Sequence, residues 1–153
     1  MQRPVRVAPT PLFDRLVSVE DLTVPASQLA ALDEDGLKAS VAVELERVLV
    51  SRCRRARETL DLDLRTTIDY GVEDHFILDP RSVDDRKQLA AEITATISNY
   101  EPRLSRVSVT VEEPNDIDTR LRIRIDALLS VGHVKEPLTF LVIRRGAFLE
   151  VRK

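Results

Sequence analysis

An α+β fold, with two main helices packed on a small, mostly antiparallel sheet, is what this sequence predicts. Three observations carry it. Two segments in the middle of the chain repeat apolar residues every three or four positions, the period of an amphipathic helix. From Val107 onward the apolar period switches to two, the period of a half-buried strand. Packing two such helices on one face of a largely antiparallel sheet is the simplest way to bury all of these stripes.

The elements follow in chain order. Residues 1–20 read as an extended arm, because Pro4, Pro9 and Pro11 fix φ and remove backbone donors. The segment PLFDRL, Pro11 to Leu16, places Leu12, Phe13 and Leu16 beside Asp14 and Arg15 on this polar arm. Two readings stay open: the arm folds back onto its own domain, or it hooks a neighbour. Residues 21–153 read as one domain, which suits a chain of 153 residues.

The first helix is expected over residues 33–57. Leu37, Val41, Leu45 and Val48 form its apolar face, and Asp33 and Asp35 suit its positive end. Residues 64–70, LRTTIDY, read as a short strand ended by Gly71. The second helix is expected over residues 82–99, with Ser82 and Asp85 at capping-box spacing and Leu89, Ile93, Ile97 and Tyr100 on one face. Pro102 stops it. Val107, Val109 and Val111, then Leu121, Ile123, Ile125 and Ala127, alternate with polar residues as strands do. Leu138 to Ile143 is a more continuous apolar run, and Arg145-Gly146 has the look of a tight turn before Phe148 to Val151.

Composition narrows the function. Charged residues make up 32%, yet the formal charge is only -3, so no whole-chain field draws in nucleic acid or an acidic membrane. Trp is absent and aromatics total 4%, which argues against a base-stacking platform. One cysteine, Cys53, builds no disulfide framework. No apolar run matches a signal-peptide core or a membrane-spanning helix, so a cytoplasmic protein is expected.

Catalytic patterns are weak. His75 and His133 are the only histidines and have no metal-site spacing. No nucleophile elbow is present, and Cys53 has arginines but no histidine in its local sequence. Gly36, Gly71, Gly132 and Gly146 are isolated, so no phosphate loop forms. No cofactor or metal is expected. A paired-carboxylate hydrolase has candidates such as Glu101 and Asp69, but acids are so abundant that such pairs arise by chance. Arg52, Arg54, Arg55 and Arg57 read first as a solvated helix end, with an acidic partner or nucleic acid as the alternative.

The most unusual local element is YEPRL, residues 100–104. Glu101 and Arg103 flank a rigid proline where a helix gives way to a strand. Read from the residues alone, they serve as an internal clamp at the helix terminus. The alternative is that both face a partner surface.

Four segments carry a family resemblance. PLFDRL, SVAVELERVLVSR (residues 40–52), the Tyr70-Gly71 corner and ITATISNYEPRL (residues 93–104) together resemble the TssE family of type VI secretion baseplate subunits. That family is shared with the wedge component of contractile phage tails and was long labelled lysozyme-like. The resemblance covers about residues 11 to 152. It implies a non-enzymatic structural subunit that joins wedge subunits TssF and TssG and the baseplate subunit TssK. It also implies a surface from which sheath subunits TssB and TssC begin to polymerise, on a baseplate attached to the inner membrane. It assigns partner contact to Glu101, Pro102 and Arg103, reversing the internal-clamp preference, while Leu12, Phe13 and Arg15 of the arm are candidate partner contacts under the hook reading. A peptidoglycan-cleaving muramidase is the alternative activity. One departure stands out: family members often have Asn-Thr-Arg-Arg after the first helix, and here the run is Val50-Ser51-Arg52-Cys53-Arg54.

Overall fold

The computed structural model describes residues 8–9, 31–54, 65–73, 78–114, 120–132, 134–145 and 148–152. Arm residues Leu12, Phe13 and Arg15, both histidines, Arg55, Arg57 and Gly146 lie outside them. A two-residue strand β1, Ala8–Pro9, pairs antiparallel with β2, Ala31–Leu32.

Helix α1 spans Glu34–Val50. Asp33 caps it, its Oδ1 accepting from the Gly36 amide at 2.8 Å, which satisfies one of the orphan donors of the first turn. Leu37, Val41, Leu45 and Val48 are all buried, as their spacing predicts, and Leu49 joins them. The helix stops seven residues before the expected limit of 57, since 57 minus 50 is 7. At Ser51 the backbone turns extended and its hydroxyl donates to the Arg47 carbonyl. Arg52 and Arg54 therefore leave the helix, and Arg52 enters a parallel bridge with Val72.

Residues 65–70 hold no strand. Thr67–Asp69 forms a single 3-10 turn, because Thr66 and Asp69 close a capping box that competes with strand pairing. Gly71 then sits at φ +106°, and a Cβ there would lie 2.3 Å from the Ser51 carbonyl oxygen. Only glycine fits this close crossing.

Helix α2 spans Val83–Tyr100, with Ser82 Oγ accepting from the Asp85 amide. The return arm of the expected box is diverted: the Asp85 carboxylate accepts from the Asp79 amide instead, at 2.8 Å. The helix buries Leu89, Ile93 and Ile97.

Four strands follow: β3 Leu104–Val111, β4 Arg122–Val131, β5 Val134–Arg145 and β6 Phe148–Arg152. They form an antiparallel meander in the order β3-β4-β5-β6, so β3 and β6 are its edges. On β4, Ile123, Ile125, Ala127 and Leu129 are buried, while Arg122, Arg124 and Asp126 between them are half-buried or exposed. The expected period of two is therefore real. Opposite them on β5, Leu138 is half-buried, and Phe140 and Val142 are buried. α2 packs against β3, α1 against β6, and the helices touch each other. The α+β expectation holds, with one continuous core.

Candidate functional site

The C-terminus of α2 and the start of β3 are joined by a four-residue turn. The Glu101 amide still donates to the Ile97 carbonyl, and the Leu104 amide donates to the Glu101 carbonyl at 3.1 Å. Pro102, exposed, holds the second position of this turn, where its fixed φ is favoured. The turn folds Glu101 and Arg103 toward each other. Arg103 Nε donates to Glu101 Oε1 at 2.8 Å, and Nη2 donates to Oε2 at 2.6 Å. This is a bidentate, charge-assisted pair. Arg103 Nη1 reaches across to Ser40 Oγ on α1 at 2.9 Å, and its carbonyl accepts from the Ser130 amide on β4. One arginine thus ties α2, α1 and the sheet together.

The pair lies at the domain's edge without being open to it. The Glu101 side chain is 4% exposed and that of Arg103 18%. The geometry is the internal clamp that the residues alone suggest, and both side chains are directed at each other. Pro102 forms the exposed tip beside it.

A second braced element adjoins the clamp. The Asp69 carboxylate, buried, accepts from the Thr66 amide and hydroxyl at 3.0 and 2.8 Å. The Tyr100 hydroxyl donates to the Thr66 carbonyl at 2.6 Å. Tyr70 and Tyr100 meet edge to face with ring centroids 5.1 Å apart. Burial pushes both tyrosine pKa values up. The Glu44 charge adds to the rise for Tyr70, and the Arg65 charge partly offsets it for Tyr100. Arg65 Nη1 donates to the Gly71 carbonyl and to Thr96 Oγ1, pinning the turn to α2. Sequence reading missed Ser40, Arg65 and Thr96 as parts of this assembly. Their partners are 31 and 63 positions away, and no local pattern signals such pairs.

Neither carboxylate singled out for hydrolysis is placed for it. Both Glu101 oxygens are taken by Arg103, and Asp69 is buried against Thr66. A general acid must reach the bond it protonates. Cys53, expected on a helix among arginines, lies beyond the helix end and is buried. Among the described residues, no group of three or more His, Cys, Asp and Glu could hold a metal ion. Among the same residues, no helix is long and apolar enough to cross a membrane. A small pocket with a cavity volume of about 10 Å³ lies between Leu78, Leu89, Val111 and Leu121, far below the volume of a ligand site.

The family model described as "Baseplate wedge protein gp25" matches residues 35–133, more than half of the chain. This protein belongs to the gp25 baseplate wedge family. The matched stretch contains all but the first residue of α1, the whole of α2, the clamp turn and strands β3 and β4. A solved chain from a structure described as "The baseplate complex from the type VI secretion system" shares the fold. Its TM-score is 0.51 at 19% identity, over 73% of this chain and 97% of that one. No curated protein sequence matches.

Proposed function

We propose that this gp25-family protein is a structural subunit of a type VI secretion baseplate, holding the wedge together and starting sheath assembly, with no catalytic step of its own. The single observation that carries this is the family match across residues 35–133. The fold shared with a chain from a type VI baseplate complex supports the choice of machine.

The mechanism is geometric. Glu101 acts from inside, fixing Arg103 in one orientation. Three N–H groups of that guanidinium are used within the chain, and the rest of the fork is left for a partner's acceptor. Pro102 makes the exposed contact beside it. The partners on this side are the wedge subunits TssF and TssG, with TssK next in the assembly. Within the arm, Leu12, Phe13 and Arg15 contact a neighbour in the same wedge. The sheet's outer strands among the described residues, β3 and β6, suit the other task. An edge strand offers unpaired backbone groups that a strand from another chain can extend. β3 carries a bulge between Ser105 and Ser108, with Arg106 at φ +52°, so its regular edge is confined to the far end of the strand. Sheath subunits TssB and TssC pair with such an edge. The working location is cytoplasmic, on the baseplate attached to the inner membrane.

Co-purification with TssF and TssG tests the anchor. The wild-type chain is expected to elute with them, and Pro102→Glu, which places charge and bulk on the tip without touching the ion pair, is expected to be lost from the complex. A wild-type chain that never joins the wedge overturns the reading. A proline at an outward-facing amide of the true edge strand should leave folding intact and stop sheath growth. Normal sheath growth would count against strand pairing.

A further inference from the structure

The most exposed large apolar side chain among the described residues is that of Ile68, at 75%. A lone surface isoleucine calls for no explanation by itself. Three features set this one apart.

Its backbone is braced from within. Asp69 holds the Thr66 amide and hydroxyl, Tyr100 holds the Thr66 carbonyl, and Arg65 ties the Gly71 carbonyl to Thr96 on α2. An apolar residue on a fixed base loses little freedom on docking, and that loss is a main cost of association. The tip is also uncharged: Thr66, Thr67 and Ile68 are exposed together in a chain with 32% charged residues. Such a tip is cheap to desolvate and complements an apolar surface better than a charged one. Finally, the tyrosine that holds this turn directly precedes Glu101. Tyr70, directly after the turn, packs on it at 5.1 Å between ring centroids. One rigid unit therefore carries two exposed tips, Ile68 and Pro102.

We propose that Ile68 is a docking knob that inserts into an apolar, uncharged socket on the same wedge subunit that receives the Glu101–Leu104 turn. The proposal rests on the baseplate reading above and adds a second anchor of stated chemistry. Continuity with the clamp turn selects the wedge partner as the occupant. Interfaces concentrate their binding energy in such buried apolar anchors.

The test measures binding of the full chain to the purified TssF–TssG wedge for wild type, Ile68→Asp, Ile68→Ser and Ile68→Val. All four are expected to melt alike, because the side chain is exposed. Ile68→Asp and Ile68→Ser are expected to weaken binding by about ten- to hundredfold, and Ile68→Val to stay close to wild type. Binding of Ile68→Asp and Ile68→Ser within about twofold of wild type would overturn the knob and leave the baseplate reading standing. A wild-type chain that does not bind the wedge would sink that reading itself. An isolated chain that self-associates through Ile68, and loses this in Ile68→Asp, would assign the knob to a second copy and refute the wedge socket.

Discussion

Replacing Arg103 with alanine removes the only guanidinium facing Glu101 among the described ion pairs. The Glu101 carboxylate would stay 4% exposed, with the Arg103 amide at 3.2 Å as its remaining donor. Removing one partner of a buried pair costs about 3–5 kcal/mol, because the remaining charge is desolvated without compensation. Arg103 itself is 18% exposed, so water can enter the vacated space, and the lower figure of about 3 kcal/mol applies. For a domain of this size that corresponds to a drop of about 6–12 °C in Tm. The Ser40 hydroxyl loses its donor as well. Urea unfolding followed by circular dichroism gives the free energy directly. The double variant Glu101→Ala/Arg103→Ala should cost less than the sum of the two single changes, because it removes the stranded charge together with its partner. A single Arg103→Ala variant that loses less than about 1 kcal/mol would show that Glu101 is not held dry by this contact. The consequence for binding experiments is practical. Arg103→Ala perturbs folding as well as any interface, so the exposed Pro102 is the cleaner probe of the wedge.

Other consequences follow from the same contacts. Gly71→Ala should destabilise by more than about 1 kcal/mol, since it combines a positive φ with a 2.3 Å clash against the Ser51 carbonyl, and a thermal melt reads it. Asp33→Ala removes the α1 cap and should cost about 1 kcal/mol by urea unfolding. Ile125→Ala, fully buried opposite Phe140, should cost about 2–5 kcal/mol in the same assay. Tyr70 and Tyr100 are the only tyrosines and Trp is absent, so tyrosinate absorbance titrates these two alone. Both are raised above the ordinary value by burial, and Lys38 is raised by its hydrogen bond to Glu136. In each case the folded state holds its proton more tightly. This contribution is complete below the unfolded pKa values, near pH 10, and is lost as pH rises through the higher folded values. Native titration midpoints should therefore lie above those of the urea-unfolded chain, and equal midpoints would contradict the packing.

Much of this molecule was legible from local pattern. The Leu37–Val48 and Leu89–Ile97 stripes bury as their spacing demands, and the Leu121–Ala127 alternation points inward as a strand's should. The failures came where side-chain hydrogen bonds override propensity. LRTTIDY has strand-like composition, but Thr66 and Asp69 close a turn on each other. SRCRRAR continues a helical composition, but Ser51 caps the helix and the chain leaves to pair with Val72. The clamp was visible as residue types two positions apart, and the residues alone favoured its inward direction, a preference that the family resemblance reversed. An extended segment would point both side chains at one outside surface, whereas the tight turn through Pro102 points them at each other. Ser40, which receives the third contact, belongs to a helix whose sequence says nothing of α2's terminus.

A photo-cross-linking amino acid in place of Pro102, in cells assembling the baseplate, reads out what this tip touches in the working particle. A covalent adduct between this exposed tip and a wedge subunit is expected. A tip that forms no adduct, while the same probe at Arg124 on the polar face of the sheet captures the wedge, would contradict it.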